Sequence, residues 1–221
     1  MISLLLDSSN QPLSVAVMKN DDVLASKTTA EKRNHSIQLM PTIKELLDKV
    51  KLEPKDLNAI IVAQGPGSYT GLRIGVTTAK TLAYTLNIPL YGVSSLSALA
   101  ATVDDKSATI VPIFNARRGF VFAGVYQWHN DSLTCVIDDQ YIELASLITK
   151  VASMDNVVFV GEDTEQFEGE LEQFSTVSNL PQAHQMYLLK GQPVDVHTFV
   201  PSYLKLSEAE QNWMNQQSNS N

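Results

Sequence analysis

The chain has 221 residues, of which 44% are hydrophobic and 18% are charged, so it can bury an ordinary core and is not expected to be disordered. Its formal net charge of -8 has the wrong sign for a protein that grips nucleic-acid phosphates over a broad surface. The single cysteine, Cys135, excludes an intramolecular disulfide and fits a reducing compartment. No signal peptide or membrane-spanning run is recognisable, so we expect a cytoplasmic protein that does not enter the membrane.

The first half of the chain predicts an α/β unit. Three apolar stretches separated by turn residues predict strands at residues 3–6, 13–17 and 23–27. Apolar side chains then recur at helical spacing over residues 37–50. Residues 58–63 have the length and the β-branched content of a buried strand, and a second helix is predicted at residues 72–86.

The second half repeats this order. Strands are predicted at residues 109–114, 120–126 and 133–137, followed by a shorter helix at 143–151 and a strand at 156–160. No residue-level identity relates the halves, so the evidence for a duplication is order and spacing alone.

Two α/β units of the same plan are therefore predicted. The first covers residues 1–103, and a smaller second unit covers residues 104–206. The composition of residues 207–221 is polar, and we expect a disordered tail there.

Charge is divided unevenly between the halves. Residues 1–103 carry 10 basic and 8 acidic side chains, net +2, whereas residues 104–221 carry 6 basic and 16 acidic side chains, net -10. An acidic run at residues 162–172 is most simply a solvated face, because a metal site needs carboxylates that converge from several elements. Arg117 and Arg118 are candidates for binding an anion between them. The simpler alternative is a solvated turn before a strand.

The glycine-rich stretch at residues 65–75 lies between a predicted buried strand and a predicted helix. Such glycines let backbone amides approach a phosphate, and a helix N-terminus favours an anion. Gly65, Gly67 and Gly71 are thus candidates for contacting the phosphates of a nucleotide, although no Lys-Ser/Thr follows as in a P-loop. Alternatively, these glycines permit a tight turn, and Gly75 permits close packing of the helix.

Asp7 follows the first predicted strand. A carboxylate at this end of an α/β sheet faces the crevice where ligands bind, so Asp7 is a candidate for holding a metal-bound water or a Mg²⁺ on phosphate. The more common alternative is an aspartate that caps the following turn. The four histidines are never three to five residues apart, and Cys135 has no partner nearby in sequence, so no zinc-type ligand pair is present.

Several short motifs resemble the TsaB (YeaZ) family, a component of the bacterial machinery that makes threonylcarbamoyladenosine in tRNA. The most specific is the glycine-rich stretch. The resemblance is also carried by shorter stretches along the chain: residues 4–9, residues 14–17, His-Ser at 35–36, Leu-Met-Pro at 39–41, Asn-Ala-Arg-Arg-Gly at 115–119 and Pro-Ser-Tyr-Leu-Lys at 201–205. It is dense to about residue 126 and sparse beyond, and Asn115 replaces the family's usual aspartate.

The resemblance implies an α/β fold of the actin-like ATPase type, with two tandem RNase-H-like units, mixed sheets and flanking helices. It also implies a non-catalytic paralogue of TsaD. TsaD has a Gly-Val-x-His-x-x-x-His metal motif, and the comparable residues 92–99 carry Ser95 and Leu99 in place of the two histidines. Neither side chain replaces an imidazole on a metal, so no catalytic or metal-binding residue is expected.

By resemblance, such a chain pairs with a TsaD-like catalytic subunit, recruits a TsaE-like ATPase and also forms homodimers. The two N-terminal helices have more apolar or small side chains than one core face needs, which favours packing on two sides. The interface residues expected there are Leu39, Ile43, Leu46, Leu72, Val76 and Lys80.

The function that the resemblance implies is a scaffold or activator for threonylcarbamoyl transfer to the adenosine next to the anticodon. Contact with tRNA is expected to be mostly indirect, through the partners, and no cofactor is expected to be required. The alternative is a stand-alone ATPase or kinase of the same fold that binds ATP or ADP at Asp7 and the glycine-rich stretch.

Overall fold

A computed structural model describes residues 1–29 and 34–205. The expected polar tail, residues 207–221, lies outside this range. Ten strands and six α-helices are described. The strands are β1 (Ile2–Asp7), β2 (Leu13–Lys19), β3 (Asp22–Thr29), β4 (Ala59–Gly65), β5 (Leu90–Ser94), β6 (Thr109–Arg117), β7 (Phe120–His129), β8 (Ser132–Glu143), β9 (Val157–Val160) and β10 (Ser175–Val177). The helices are α1 (His35–Lys49), α2 (Tyr69–Leu86), α3 (Ser95–Ala100), α4 (Leu144–Val151), α5 (Glu168–Leu171) and α6 (Met186–Leu189).

The strands form two five-stranded mixed sheets with the same plan. The first has the order β3-β2-β1-β4-β5 and the second has the order β10-β9-β6-β7-β8. In each sheet, three consecutive strands form an antiparallel meander, and two later strands add in parallel beside its first strand. The predicted duplication of an α/β unit is confirmed by this shared order.

The continuous apolar run in β1 arises because both faces of the first sheet are covered. Leu4 and Leu6 pack into a core cluster with side chains of α1 and α2, whereas Leu5 points to the other face and joins side chains of α3 and α6. Alternate residues of a strand point to opposite faces, so a strand buried on both sides is apolar at consecutive positions.

Helix α3 lies between the two units. Ala98 belongs to the core cluster of the first sheet, while Leu96 and Leu99 belong to one on the second sheet. Hydrogen bonds also join the two units here: the hydroxyls of Ser94, in the first unit, and Tyr126, in the second, each donate to Asp139 at 2.5 Å. Burial raises the pKa of the Asp139 carboxyl above its ordinary value.

Residues 183–202 return to the first unit, which corrects the predicted second unit of residues 104–206, whereas Leu204 and Lys205 contact the second unit. This return segment, residues 183–205, begins where the backbone N–H of Ala183 donates to Ser14 Oγ at 2.9 Å. Helix α6 packs on the first sheet, and the N–H of Val194 donates to the carbonyl of Leu90 at 2.8 Å. The first unit therefore contains most of the return segment as well as the start of the chain. Its return was missed because it carries no strong periodicity.

Candidate functional site

Asp7 ends β1 and turns inward. The carboxyl is buried, and its Oδ1 accepts hydrogen bonds from the backbone N–H of Ser9 at 2.9 Å and from the Ser9 hydroxyl at 2.7 Å. Burial raises the pKa of Asp7 above its ordinary value, although the Ser9 hydrogen bonds and the charge of His35 oppose this. Oδ1 thus caps the following turn. Among the described residues Oδ2 has no hydrogen-bond partner, so a contact from Asp7 to Mg²⁺ or phosphate stays a prediction.

The glycine-rich stretch packs directly on the turn that follows Asp7. A Cβ added to Gly67 would overlap the carbonyl oxygen of Ser9, and one added to Gly71 would overlap the carbonyl oxygen of Ser8. Two hydrogen bonds join the same backbones: Ser68 N–H donates to the Ser9 carbonyl at 2.7 Å, and the Ser8 hydroxyl donates to the Gly71 carbonyl at 2.9 Å. The close approach of the two loops is sufficient to explain why glycine is required at positions 67 and 71.

Gly65 is restricted by a different neighbour, the return segment. A Cβ on Gly65 would meet the carbonyl oxygen of Ser202, whose own N–H donates to the Gln64 carbonyl at 2.7 Å. The three candidate glycines are thus brought to one end of the first sheet together with Asp7, and backbone groups already contact each of them. Nucleotide binding at this cluster of residues stays a prediction.

Replacing Gly71 by alanine should destabilise the fold by about 3 kcal/mol or more, because the new Cβ meets backbone that cannot move like a flexible side chain. Urea unfolding monitored by circular dichroism measures the change. Gly169→Ala is the matched control: a Cβ there has nothing within 4 Å, and alanine favours helix α5. Equal stability of Gly71→Ala and wild type would show that the loops can separate, which would favour the phosphate-binding alternative.

The positions that match the TsaD metal motif belong to the interior. Ser95 is fully buried, and its hydroxyl oxygen accepts a hydrogen bond from the N–H of Gly65 at 3.1 Å. Leu99 is also fully buried and packs in the core cluster on the second sheet. Within residues 1–29 and 34–205, no three His, Cys, Asp or Glu side chains are grouped so as to hold a metal ion. The same part of the chain contains no helix both long and apolar enough to cross a membrane.

The predicted interface residues need correction, because five of the six form this chain's own core. All five have exposed fractions of 3% or less: Leu39, Ile43, Leu46, Leu72 and Val76. They are covered from the sheet side, where α1 and α2 pack. The sixth, Lys80, is half-buried and holds the return segment, since its Nζ donates to the carbonyl of Phe199 at 2.6 Å.

Other side chains of the same helices are exposed, and a groove is lined by residues from the start of α1 and from α2. On α1, Ile37 is 68% exposed and Met40 is 51% exposed. The groove has a volume of about 550 Å³ and separates the start of α1 from one face of α2; it is lined by Ser36, Tyr69, Thr70, Arg73, Ile74, Thr77 and Thr78. We call this surface, with Ile37 and Met40, the α1–α2 face. The expected apolar surface is thus found on α1 and α2 as the sequence indicated, but different side chains from the predicted ones are exposed there.

The architecture and the buried Asp7 turn define an α/β protein of the actin-like ATPase fold. The family model for TsaD, tRNA N6-adenosine threonylcarbamoyltransferase, matches residues 22–213. The chain is 41% identical to the tRNA threonylcarbamoyladenosine biosynthesis protein TsaB of Bacillus subtilis (strain 168), over 98% of this chain and 100% of that protein. The chain therefore belongs to the TsaB (YeaZ) family of tRNA threonylcarbamoyladenosine biosynthesis proteins, as its motifs predicted.

Solved structures agree on the fold. YeaZ from Pseudomonas aeruginosa superposes with a TM-score of 0.80 at 24% identity and covers 92% of this chain and 99% of its own. The activator of the 2-hydroxyisocaproyl-CoA dehydratase from Clostridium difficile, solved with bound ADPNP, superposes with a TM-score of 0.50 at 13% identity, covering 99% of this chain and 98% of its own. The predicted actin-like fold is confirmed.

Proposed function

We propose that this chain is the non-catalytic scaffold and activator subunit of a cytoplasmic complex that transfers a threonylcarbamoyl group to the adenosine next to the anticodon in tRNAs. In this proposal it pairs with a TsaD-like catalytic subunit, recruits a TsaE-like ATPase and needs no cofactor of its own. The observation that carries the proposal is the α1–α2 face, where large apolar side chains stay exposed beside a groove. Exposed apolar patches next to concave surfaces are typical of protein–protein interfaces.

The buried Ser95 and Leu99 support the non-catalytic part of the proposal. In a catalytic chain those two positions would present imidazoles to a metal, whereas here they support the loop at Gly65 and the contact between the units. A subunit with the fold of its partner but without its metal ligands can still supply a binding surface. The same surface can pair with a second copy of this chain or with a paralogue of similar shape, and we propose that it does both.

Reconstitution from purified components tests the proposal. This chain, the TsaD-like subunit and the TsaE-like ATPase are combined with tRNA and a threonylcarbamoyl donor, and the modified adenosine is quantified by mass spectrometry. We expect no product from this chain alone and a large gain when it is added to the other two. ATP hydrolysis by this chain without partners, and no gain in product, would instead favour the stand-alone ATPase.

A further inference from the structure

The hairpin between β6 and β7 carries two arginines in an unfavourable backbone conformation. Arg117, Arg118 and Gly119 have φ angles of 69°, 56° and 77°, three consecutive residues in the left-handed region. Arg117 pairs with Phe120, so Arg118 and Gly119 form a two-residue loop. Such loops favour Asn-Gly, because a side chain with a Cβ is strained there and asparagine tolerates it best. The sequence thus places arginine where another residue would fold more easily.

Contacts on both sides hold this hairpin in place. The Asn115 side chain accepts from the N–H of Arg117 at 2.8 Å and donates to Gln166 Oε1 at 2.6 Å. From the return segment, Lys205 Nζ donates to the carbonyl of Ala116 at 3.2 Å. Strain that the surroundings maintain is most often found at functional sites. The turn is a fixed support for the two guanidinium groups.

The two arginines of this hairpin are available to a ligand. Both arginines are exposed, and no hydrogen bond or ion pair joins either guanidinium to any residue in the part of the chain that the structure describes. The ammonium of Lys205 lies 5.1 Å from the ring centroid of Tyr141, which stacks on Phe120 at 4.8 Å. Lys205 therefore lies beside an aromatic pair at the end of β6 where the backbone of Arg117 and Arg118 turns.

Nearby acidic groups limit the size of the positively charged patch formed by Arg117, Arg118 and Lys205. Asp163 is buried and accepts from the N–H of Asn115 at 2.8 Å, so it is already used by the turn. Glu143 is exposed and pairs with Phe120 across β7 and β8. The patch can reach two or three phosphates and cannot grip a long stretch of duplex, which agrees with the net charge of -8.

We propose that Arg117, Arg118 and Lys205 contact the phosphate backbone of tRNA directly. The identity of the RNA rests on the proposed function; the anion-binding chemistry does not. Guanidinium groups match phosphate oxygens in two-point hydrogen bonds, and aromatic rings beside cations are typical of surfaces that bind nucleic acids. A protein interface would instead be expected to centre on apolar side chains, which the tip of this hairpin lacks.

Binding of an unmodified tRNA transcript to the full chain tests the proposal, over a range of salt concentrations. In the double variant Arg117→Gln/Arg118→Gln we expect about a tenfold loss of affinity at low salt. The slope of log K against log salt should fall in magnitude by about 1.4 to 1.8, since each of the two lost phosphate contacts removes about 0.7 to 0.9. The matched control Lys19→Gln/Lys51→Gln removes the same charge from two exposed positions outside the hairpin, and it should change the affinity far less.

A single variant separates function from folding. Arg118→Asn creates the preferred Asn-Gly turn, so it should raise the melting temperature by roughly 2 to 4 °C while weakening tRNA binding.

An unchanged salt slope in the double variant would overturn the proposal. So would intact tRNA binding together with lost co-purification of the TsaD-like subunit, which would make the hairpin a protein contact. If the wild-type chain fails in reconstitution but the salt slope changes as expected, the proposed function fails and the anion site stands.

Discussion

Replacing Val76 by glutamate should strongly destabilise the protein. Val76 lies on α2, is 2% exposed and packs among the core side chains between the helices and the first sheet. A carboxylate there would be buried without a partner, or would take up a proton and still disrupt the packing. We expect a loss of about 3 to 5 kcal/mol, a large part of the 5 to 15 kcal/mol by which most domains are stable. Far-UV circular dichroism and thermal unfolding measure it.

Thr81→Glu is the matched control for Val76→Glu. It adds the same charge to the same helix at an exposed position outside the residues that line the groove, and its effect should stay within about 0.5 kcal/mol. A Val76→Glu protein that keeps its helical spectrum and its melting temperature would show that this side chain faces solvent or a partner. That result would restore the interface residues expected from the sequence.

The duplication could be predicted from the sequence because it is encoded locally. Runs such as Leu4 to Leu6 are apolar at every position, which marks a strand covered on both faces, and turn residues separate the strands of each meander. The second meander repeats the order of the first. Local spacing is therefore enough to predict the repeated plan and both meanders, whereas shorter elements such as β5, β10 and α3 were not predicted.

The interface residues could not be assigned in the same way. The apolar side chains that recur at helical spacing over residues 37–50 include both Ile37 and Met40 at the start and Ile43 and Leu46 further on, and the interface residues expected on this helix include the latter two. In the structure Ile43 and Leu46 are core, whereas Ile37 and Met40 stay exposed. Helical spacing shows that a helix has a wide apolar stripe, but it does not show which members of the stripe face the chain's own sheet.

Contacts between segments that are distant in sequence could not be predicted either. The return segment touches α2, the glycine-rich stretch and the β6–β7 hairpin through single groups such as Lys80, Ser202 and Lys205. Hydrogen bonds of this kind require no periodic pattern, so the sequence gives no sign of which residues they join. The glycines illustrate the consequence: their spacing fits a phosphate loop, whereas the structure shows contacts with the Ser8 and Ser9 backbone.

Met40→Glu should abolish pairing with the TsaD-like subunit and also convert any homodimer to monomers, while the fold stays intact. Met40 is 51% exposed on the α1–α2 face, so a charge there is tolerated in the free chain but would be buried without a partner in a complex. A loss of at least a hundredfold in affinity is expected for a central interface position. Analytical ultracentrifugation and size-exclusion chromatography measure both assemblies.

Leu188→Glu provides the control for Met40→Glu. Leu188 is 66% exposed on α6, which packs on the opposite face of the first sheet, so the same type of substitution there should leave pairing unchanged. If Met40→Glu pairs normally and Leu188→Glu does not, the interface lies on the α6 side. If Met40→Glu loses the homodimer but keeps the TsaD-like partner, the two assemblies use different surfaces. The shared-surface proposal requires that both assemblies be lost together, because a single exposed side chain would be covered in each.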